Sequence, residues 1–274
     1  MHSGEVKPWA MLPNMSSDRG AGRDPWELPR PPVGWELGET LPTSLLHDAI
    51  VTLLRAILER WASRFHPEML VARELSVRWE RDKPANGVDP DVALFPLRPP
   101  DEHVRSMCTW KDGHTTPFFV VEVVSDAEPR KDYTIAPEKY AALGVRELVV
   151  FDPMLAAPKT LGPVALQIWR RDDGGAFTRV YAGDGPAYSA ALGAHLVVVD
   201  ETRAGTAGEP GRRLRVADDS GGERMWLTSE EAERSEKEAA RAAEEAARAA
   251  EEAARVRIAE LEAQLAAARK GRVE

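Results

Sequence analysis

The sequence has little cysteine, few aromatic residues and no long apolar run. Cys108 is the single cysteine among 274 residues, which excludes an intramolecular disulfide framework and a zinc site built from cysteines. No segment approaches the ~18 apolar residues of a membrane span, and residues 1–30 lack the pattern of a signal peptide. The net charge of −9 argues against tight, non-specific binding of polyanions. We therefore expect a soluble cytoplasmic protein with no membrane association.

What the sequence does contain is enough apolar material for one globular domain with appendages, since 43% of its residues are hydrophobic. Residues 1–40 are rich in proline and glycine and show neither a helical nor a strand period. We expect this segment to be an extended, partly disordered arm.

Apolar residues recur at three- and four-residue steps over 43–65, which predicts an amphipathic helix with Thr43 or Ser44 as its N-cap. A second, short helix is predicted to end at Gly144, a residue suited to a left-handed cap. Strands are predicted at 69–79, 92–95, 118–124, 148–151, 164–170, 177–181 and 196–199. The sequence thus indicates an α/β fold whose sheet is extended by hairpins.

The C-terminal segment has a different composition, with EAARAAE starting at Glu238 and again at Glu245. This period of seven predicts a long helix over 229–270, joined to the domain by a strand-containing connector at 206–228. Glutamate and arginine are spaced for ion pairs within the helix. Two interpretations stay open: a coiled coil through which the chain self-associates, or a solitary charged helix.

A carboxylate interrupts the most apolar and most β-prone segment, PFFVVEVVSD at 117–126. Strand alternation places Glu122 on the same face as Val120 and Val124, so a water-exposed position would expose those valines too. A buried carboxylate is costly unless it is hydrogen-bonded, paired with a cation or bound to a metal. We therefore expect a positive group opposite Glu122, supplied by Arg73, Arg78 or a metal ion.

A second acid precedes the strand at 92–95 in the stretch VDPDVALF, where Asp89 and Asp91 flank Pro90. Such a Pro-Asp pair alone is more often a turn than a ligand. Combined with Glu122 on a neighbouring strand, however, Asp91 would complete a hard-oxygen site of the kind that Mg²⁺ uses.

These residues carry a resemblance to a known family. The order PD at 90–91, VVEVVS at 120–125, Asp132, and EKYAALGVRELVVFDP at 138–153 resembles the bacterial Uma2 family of restriction-endonuclease-like proteins, within the PD-(D/E)XK nuclease superfamily. The resemblance spans about residues 41–228. It implies a restriction endonuclease-like core with a mixed central sheet at 41–205, and DNA as the substrate.

The resemblance also implies site residues. Asp91, Glu122 and the backbone carbonyl of Val123 would bind Mg²⁺ or Mn²⁺ for phosphodiester hydrolysis. The superfamily places a catalytic lysine two residues after the glutamate, where this chain has Val124. The family places it four residues after Asp132, where this chain has Ala136.

Lys139, one helical turn beyond Ala136, is our predicted catalytic lysine, and Lys131 is the other candidate. If Lys139 is only a solvated surface lysine, the alternative is a degenerate nuclease-like domain that acts as a dimeric binding or scaffold module. Self-association is expected through the nuclease-like domain or through the C-terminal coiled coil. Two further residues lie in the same pattern. His47 is either a polar residue near the metal or, more simply, a surface histidine, and Tyr140 is predicted to be a packing residue.

Overall fold

The computed structural model describes residues 44–83, 86–125, 127–201 and 211–270. The arm predicted at 1–40 lies outside these ranges. The chain divides into two compact units, one reaching to Trp226 and one starting at Leu227. None of the helices in the described ranges has an apolar stretch sufficient to cross a membrane. The domain boundaries proposed from the sequence stay predictions.

The first element among the described residues is helix α1, Leu45–Phe65. Its N-cap is Ser44, whose hydroxyl accepts a hydrogen bond from the backbone N–H of His47 at 3.2 Å, which satisfies one of the free amides of the first turn. The apolar stripe of α1 is buried, as the sequence period predicts; it comprises Ile50, Val51, Leu54, Ile57, Leu58 and Trp61.

The described residues form twelve strands: β1 (Leu70–Arg73), β2 (Ser76–Arg78), β3 (Gly87–Val88), β4 (Val92–Phe95), β5 (Ser106–Cys108), β6 (Phe119–Val123), β7 (Glu147–Phe151), β8 (Leu166–Arg171), β9 (Phe177–Gly183), β10 (Ala187–Ser189), β11 (Ala194–Glu201) and β12 (Gly211–Ala217). Six of them make the central sheet, in the order β1-β4-β6-β7-β8-β9. Its β6–β7 pair is parallel and its other pairs are antiparallel. The sheet is therefore mixed, as predicted.

The parallel pair is connected by a π-helical turn, Lys131–Ile135, and helix α2, Ala136–Leu143. Pro137 lies in the first turn of α2, directly after the π-helical turn. Gly144 ends the helix with a φ of 85°, a left-handed conformation that glycine adopts without a steric penalty. This connection confirms the strand–helix–strand unit read from the sequence.

The two faces of the central sheet carry different helices. The α1 face packs around Leu54, Val121 and Phe151, and the α2 face packs around Val120 and Tyr140. Successive side chains of β6 alternate between these faces. Glu122 therefore belongs to the α2 face, together with Val120 and Val124.

The single strand predicted at 69–79 is wrong. The structure has β1 in the central sheet and β2 in a separate sheet of order β3-β2-β5. The break falls at Glu74, whose φ is 50° and whose backbone N–H donates to the carbonyl of Pro90 at 3.0 Å. A left-handed residue cannot continue a strand, so the chain changes direction there.

A third sheet has the order β10-β11-β12. Strand β12 pairs with β11 along its whole length, from Gly211 opposite Glu201 to Ala217 opposite His195. Residues that the sequence predicted as part of a connector therefore form a strand of the first unit. Together with the mixed central sheet and the long C-terminal helix, these strands confirm the predicted fold class.

The second unit is dominated by helix α3, Ser229–Lys270. The Thr228 hydroxyl accepts from the N–H of Glu231 at 3.1 Å, and the Glu231 carboxylate accepts from the N–H of Thr228 at 2.8 Å. This reciprocal pair is a capping box. Ion pairs with i,i+4 spacing, such as Glu244–Arg248 at 2.6 Å, follow the heptads. The helix is confirmed, while self-association through it stays a prediction.

Candidate active site

Asp91 lies immediately before β4, at the edge where β6 ends. Its Oδ2 accepts a hydrogen bond from the backbone N–H of Val123 at 2.7 Å and is 3.1 Å from Nε2 of His47. The register pairs Val92 with Val121, which brings Asp91 beside Glu122. The two acids singled out from the sequence thus lie together, on adjacent strands.

The carboxylate of Glu122 is almost completely buried, with 4% of the residue exposed. The Tyr140 hydroxyl donates a hydrogen bond to its Oε1. Burial raises the pKa of Glu122 well above its ordinary value, and the negative charges of Asp91 and Asp132 raise it further. The Lys131 ammonium and the Tyr140 hydrogen bond act in the opposite direction. Glu122 is thus a destabilised carboxylate in a cluster of acids.

Tyr140 packs as the sequence predicts, with 1% exposure in the α2-face core. Its hydroxyl has a second role as the donor to Glu122. Burial and the charge of Glu122 raise the pKa of Tyr140 well above its ordinary value, so the hydroxyl keeps its proton and donates.

Asp132 is the third acid of the cluster and lies in the π-helical turn, 4% exposed. Its Oδ1 is buried and has no hydrogen-bond partner among the described residues. Burial raises the pKa of Asp132 to about 7; the Lys131 ammonium lowers it and the charge of Asp91 adds to the rise. In the sequence, Asp132 is recognisable only as a position of the family pattern.

Two lysines lie within electrostatic reach of these acids. Nζ of Lys131 is 4.0 Å from Oδ1 of Asp132, and 53% of its side chain is exposed. The charge of Glu122 is the main cause of the raised pKa of Lys131. Burial, followed by the charge of Lys131, lowers the pKa of Lys139, while Asp89 and Glu122 oppose that change. The charges of the acidic residues therefore act on both candidate lysines.

The interpretation of His47 as a surface histidine is wrong, because the residue is 5% exposed. Its Nδ1 is buried with no hydrogen-bond partner in the described part of the chain. Burial lowers the pKa of His47, but the hydrogen bond to Asp91 and the charges of Asp91, Asp132 and Glu74 outweigh burial and raise it. The first turn of α1, ordered by the Ser44 cap, holds the ring at Asp91.

The two arginines considered as partners of Glu122 bind other acids. Arg73 pairs with Asp48, and Nη2 of Arg78 is 3.0 Å from Oδ1 of Asp89. The positive group near Glu122 is Lys131 instead. Of the two aspartates that flank Pro90, one is therefore paired with Arg78 and the other, Asp91, belongs to the acid cluster.

The cluster fits a hard divalent cation. Within the described ranges, no three His, Cys, Asp or Glu side chains form a ready three-ligand metal group. Mg²⁺ does not need one, since it binds through one or two carboxylates and keeps several waters. Oδ1 of Asp132 accepts no hydrogen bond among the described residues, and the pKa of Glu122 is raised well above its ordinary value. The half-exposed Lys131 therefore compensates the negative charge of the ionised cluster only in part. A cation beside Asp91 and Glu122 would neutralise it.

Comparison with known proteins relates the chain to a protein family and to solved structures. Residues 36–181 match the Uma2 family model, described as "Putative restriction endonuclease", and this range contains every residue of the cluster. A solved structure described as a putative nuclease belonging to DUF820, from Anabaena variabilis, is 12% identical, with a TM-score of 0.38; the match covers 56% of this chain and 76% of that chain. No curated protein matches the chain.

Proposed function

This chain belongs to the Uma2 family of restriction-endonuclease-like proteins, and from that premise we propose that it is a metal-dependent endonuclease that hydrolyses phosphodiester bonds in DNA. Family membership supports a nuclease-type function and the use of a divalent metal ion. The observation that carries the finer proposal is the pair of buried carboxyl groups of Glu122 and Asp132 beside the partly buried Asp91, whose negative charge raises the pKa of both. Such a set is tolerable when a cation binds to it.

In this proposal Asp91, Glu122 and the carbonyl of Val123 hold Mg²⁺, with Mn²⁺ as a substitute. When bound, the ion neutralises phosphate charge and lowers the pKa of a bound water. Lys139 is the proposed catalytic lysine, whose ammonium stabilises negative charge that develops on the phosphate. Lys131 acts as the counter-ion of the empty acid cluster, in keeping with its contact with Asp132.

The test is cleavage of supercoiled plasmid DNA with Mg²⁺ or Mn²⁺. We expect the wild-type chain to nick or linearise the plasmid and to stop when the ion is chelated. Asp91→Asn should lose activity by about 100-fold or more, since it weakens metal-assisted hydrolysis. Asp89→Asn makes the same chemical change two residues away, at a carboxylate paired with Arg78, and should retain activity. Equal rates for wild-type and Asp91→Asn protein would make the proposal wrong.

A second candidate function is a catalytically inactive, self-associating scaffold. It is favoured by the two positions where the superfamily and family patterns expect lysine, since Val124 and Ala136 are apolar and almost completely buried here. Calorimetric titration with Mn²⁺ separates the two functions. An absence of Mn²⁺ binding, together with loss of self-association when the chain is cut before Ser229, would favour the scaffold.

A further inference from the structure

We propose that Tyr140 and His47 are positioning residues that each hold one oxygen of a metal-binding acid, so that the other oxygen of each acid is turned toward the ion. This inference rests on the proposed function, because it concerns the acids assigned there as ligands.

For Glu122 the holding group is the Tyr140 hydroxyl, which donates to Oε1. Tyr140 has little freedom to turn away, since it is 1% exposed and belongs to the tightly packed α2-face core. A buried hydroxyl or carboxylate that lacks a hydrogen-bond partner is destabilising, so each of these two groups favours keeping the other as its partner. The pair therefore keeps Oε1 engaged before any ion arrives.

For Asp91 the held oxygen is Oδ2, which faces both the N–H of Val123 and Nε2 of His47. The N–H of Val123 belongs to β6, a central strand of the sheet, so the backbone fixes its direction. Among the residues that the structure describes, no hydrogen bond is directed to Oδ1 of Asp91 or to Oε2 of Glu122. One oxygen of each acid is thus committed to the protein, and the other is available to a cation.

The two holding side chains come from opposite faces of the sheet. His47 lies on α1, whose stripe packs on one face, and Tyr140 lies on α2, which packs on the other. Each acid is consequently fixed by an element that the remainder of the fold already holds rigid. Hydrogen-bonding partners that orient metal ligands in this way typically contribute 10–100-fold in metal affinity or activity.

The decisive experiment measures the Mn²⁺ dissociation constant of the metal-free, full-length chain by calorimetry, alongside its thermal unfolding. Tyr140→Phe removes only the hydroxyl, and we expect Mn²⁺ to bind about 10–100-fold more weakly. Tyr133→Phe is the matched control. It removes another buried tyrosine hydroxyl, which donates to Asp152 at 3.0 Å, so it should lower stability and leave the Mn²⁺ affinity unchanged.

A second pair of variants tests the role of His47. His47→Gln keeps a side-chain N–H that can reach Asp91, whereas His47→Leu has no donor. We expect His47→Leu to weaken Mn²⁺ binding about tenfold, and His47→Gln to recover most of that loss at similar thermal stability.

Three results would overturn the inference. Unchanged Mn²⁺ affinity in Tyr140→Phe would exclude positioning by the hydroxyl. Equal weakening in Tyr140→Phe and Tyr133→Phe would assign the effect to general loss of stability. A wild-type chain that binds no Mn²⁺ would remove both this inference and the proposed function, and that outcome differs from the first two because no variant is needed to see it.

Discussion

The carboxyl group of Asp132 couples pH to the stability of the metal-free fold. Its pKa is about 7 in the folded chain, against an ordinary value of 3.8, so the folded state binds the proton more tightly than the unfolded state does. The stability that this proton supplies is present below about pH 4 and is lost as the pH rises through 7. One pKa unit corresponds to about 1.4 kcal/mol, so the difference between 3.8 and about 7 predicts a loss of about 4 kcal/mol.

Urea denaturation of the chelator-treated chain at several pH values between 4 and 8 measures this loss. Asp132→Asn cannot titrate and should show a smaller decrease across the same range. Asp184→Asn, at an aspartate whose side chain is 79% exposed, should follow the wild type. Parallel curves for wild-type and Asp132→Asn protein would contradict the assignment.

Substitution of the two lysines should change different quantities: the cleavage rate for Lys139 and the Mn²⁺ affinity for Lys131. Lys139→Gln is expected to lower the maximal cleavage rate about 100-fold without changing Mn²⁺ affinity, as for other groups that stabilise transition-state charge. Lys131→Gln removes a cation that competes for Glu122 and Asp132, and should tighten Mn²⁺ binding a few-fold, since the half-exposed lysine is partly screened by water.

Single-turnover cleavage at saturating Mn²⁺, combined with calorimetry, separates these two effects. An unchanged cleavage rate in Lys139→Gln would indicate that Lys131 is the catalytic lysine, or would favour the scaffold function. Weaker Mn²⁺ binding in Lys131→Gln would show that this lysine supports the ion instead of competing with it.

At the residue scale, the site residues whose position follows from strand alternation could be predicted from the sequence. The hydrogen bonds between residues far apart in the chain could not. Strand alternation alone places Glu122 on a buried face, and order along the chain brings Asp91 near it. The hydrogen bonds of Tyr140 and His47 form between residues far apart in sequence. Nothing in the local pattern distinguishes these two from an ordinary packing tyrosine or a surface histidine.

Among the elements, helix α3 supports the most direct prediction. Three of its large apolar side chains are about half exposed: Val256, Ile258 and Leu261. Exposed apolar residues near one end of a heptad helix favour self-association, and its exposed ion pairs contribute only about 0.3–0.5 kcal/mol each. We expect the chain to self-associate at micromolar concentration.

Analytical ultracentrifugation of the full-length chain tests this expectation. Leu261→Glu places a charge in the apolar stripe and should shift the chain to the monomer. Glu244→Gln removes one intrahelical ion pair and should leave the association unchanged. A wild-type chain that sediments as a monomer would favour the solitary-helix interpretation.

Long, strongly periodic elements were predictable, whereas a short break within a strand was not. Helices α1 and α3 follow apolar periods that extend over many residues. The division of 69–79 into β1 and β2 depends on the φ of Glu74 and on a carbonyl contributed by Pro90. Glutamate has no local preference for that conformation, so the sequence offered no signal of the break.

For the whole molecule, binding of an ion should reverse the pH dependence of the empty site. A cation binds the deprotonated carboxylates and competes with protons, so its affinity rises with pH. Saturating Mn²⁺ should therefore raise the melting temperature more at pH 8 than at pH 6, because only the folded chain holds the site. Differential scanning calorimetry at both pH values measures the two increments, and equal increments would indicate that Mn²⁺ binds elsewhere.

The pairing of β12 with β11 decides where this chain can be shortened or fused to another protein. A cut at residue 205, the end of the domain as read from the sequence, would strip β12 away and bare seven consecutive backbone positions of β11, from His195 to Glu201. A bare strand edge recruits strands from other molecules and aggregates. A cut after Trp226, by contrast, keeps β12 paired with β11. The chain truncated after Trp226 should therefore stay in solution, whereas the chain truncated at residue 205 should precipitate.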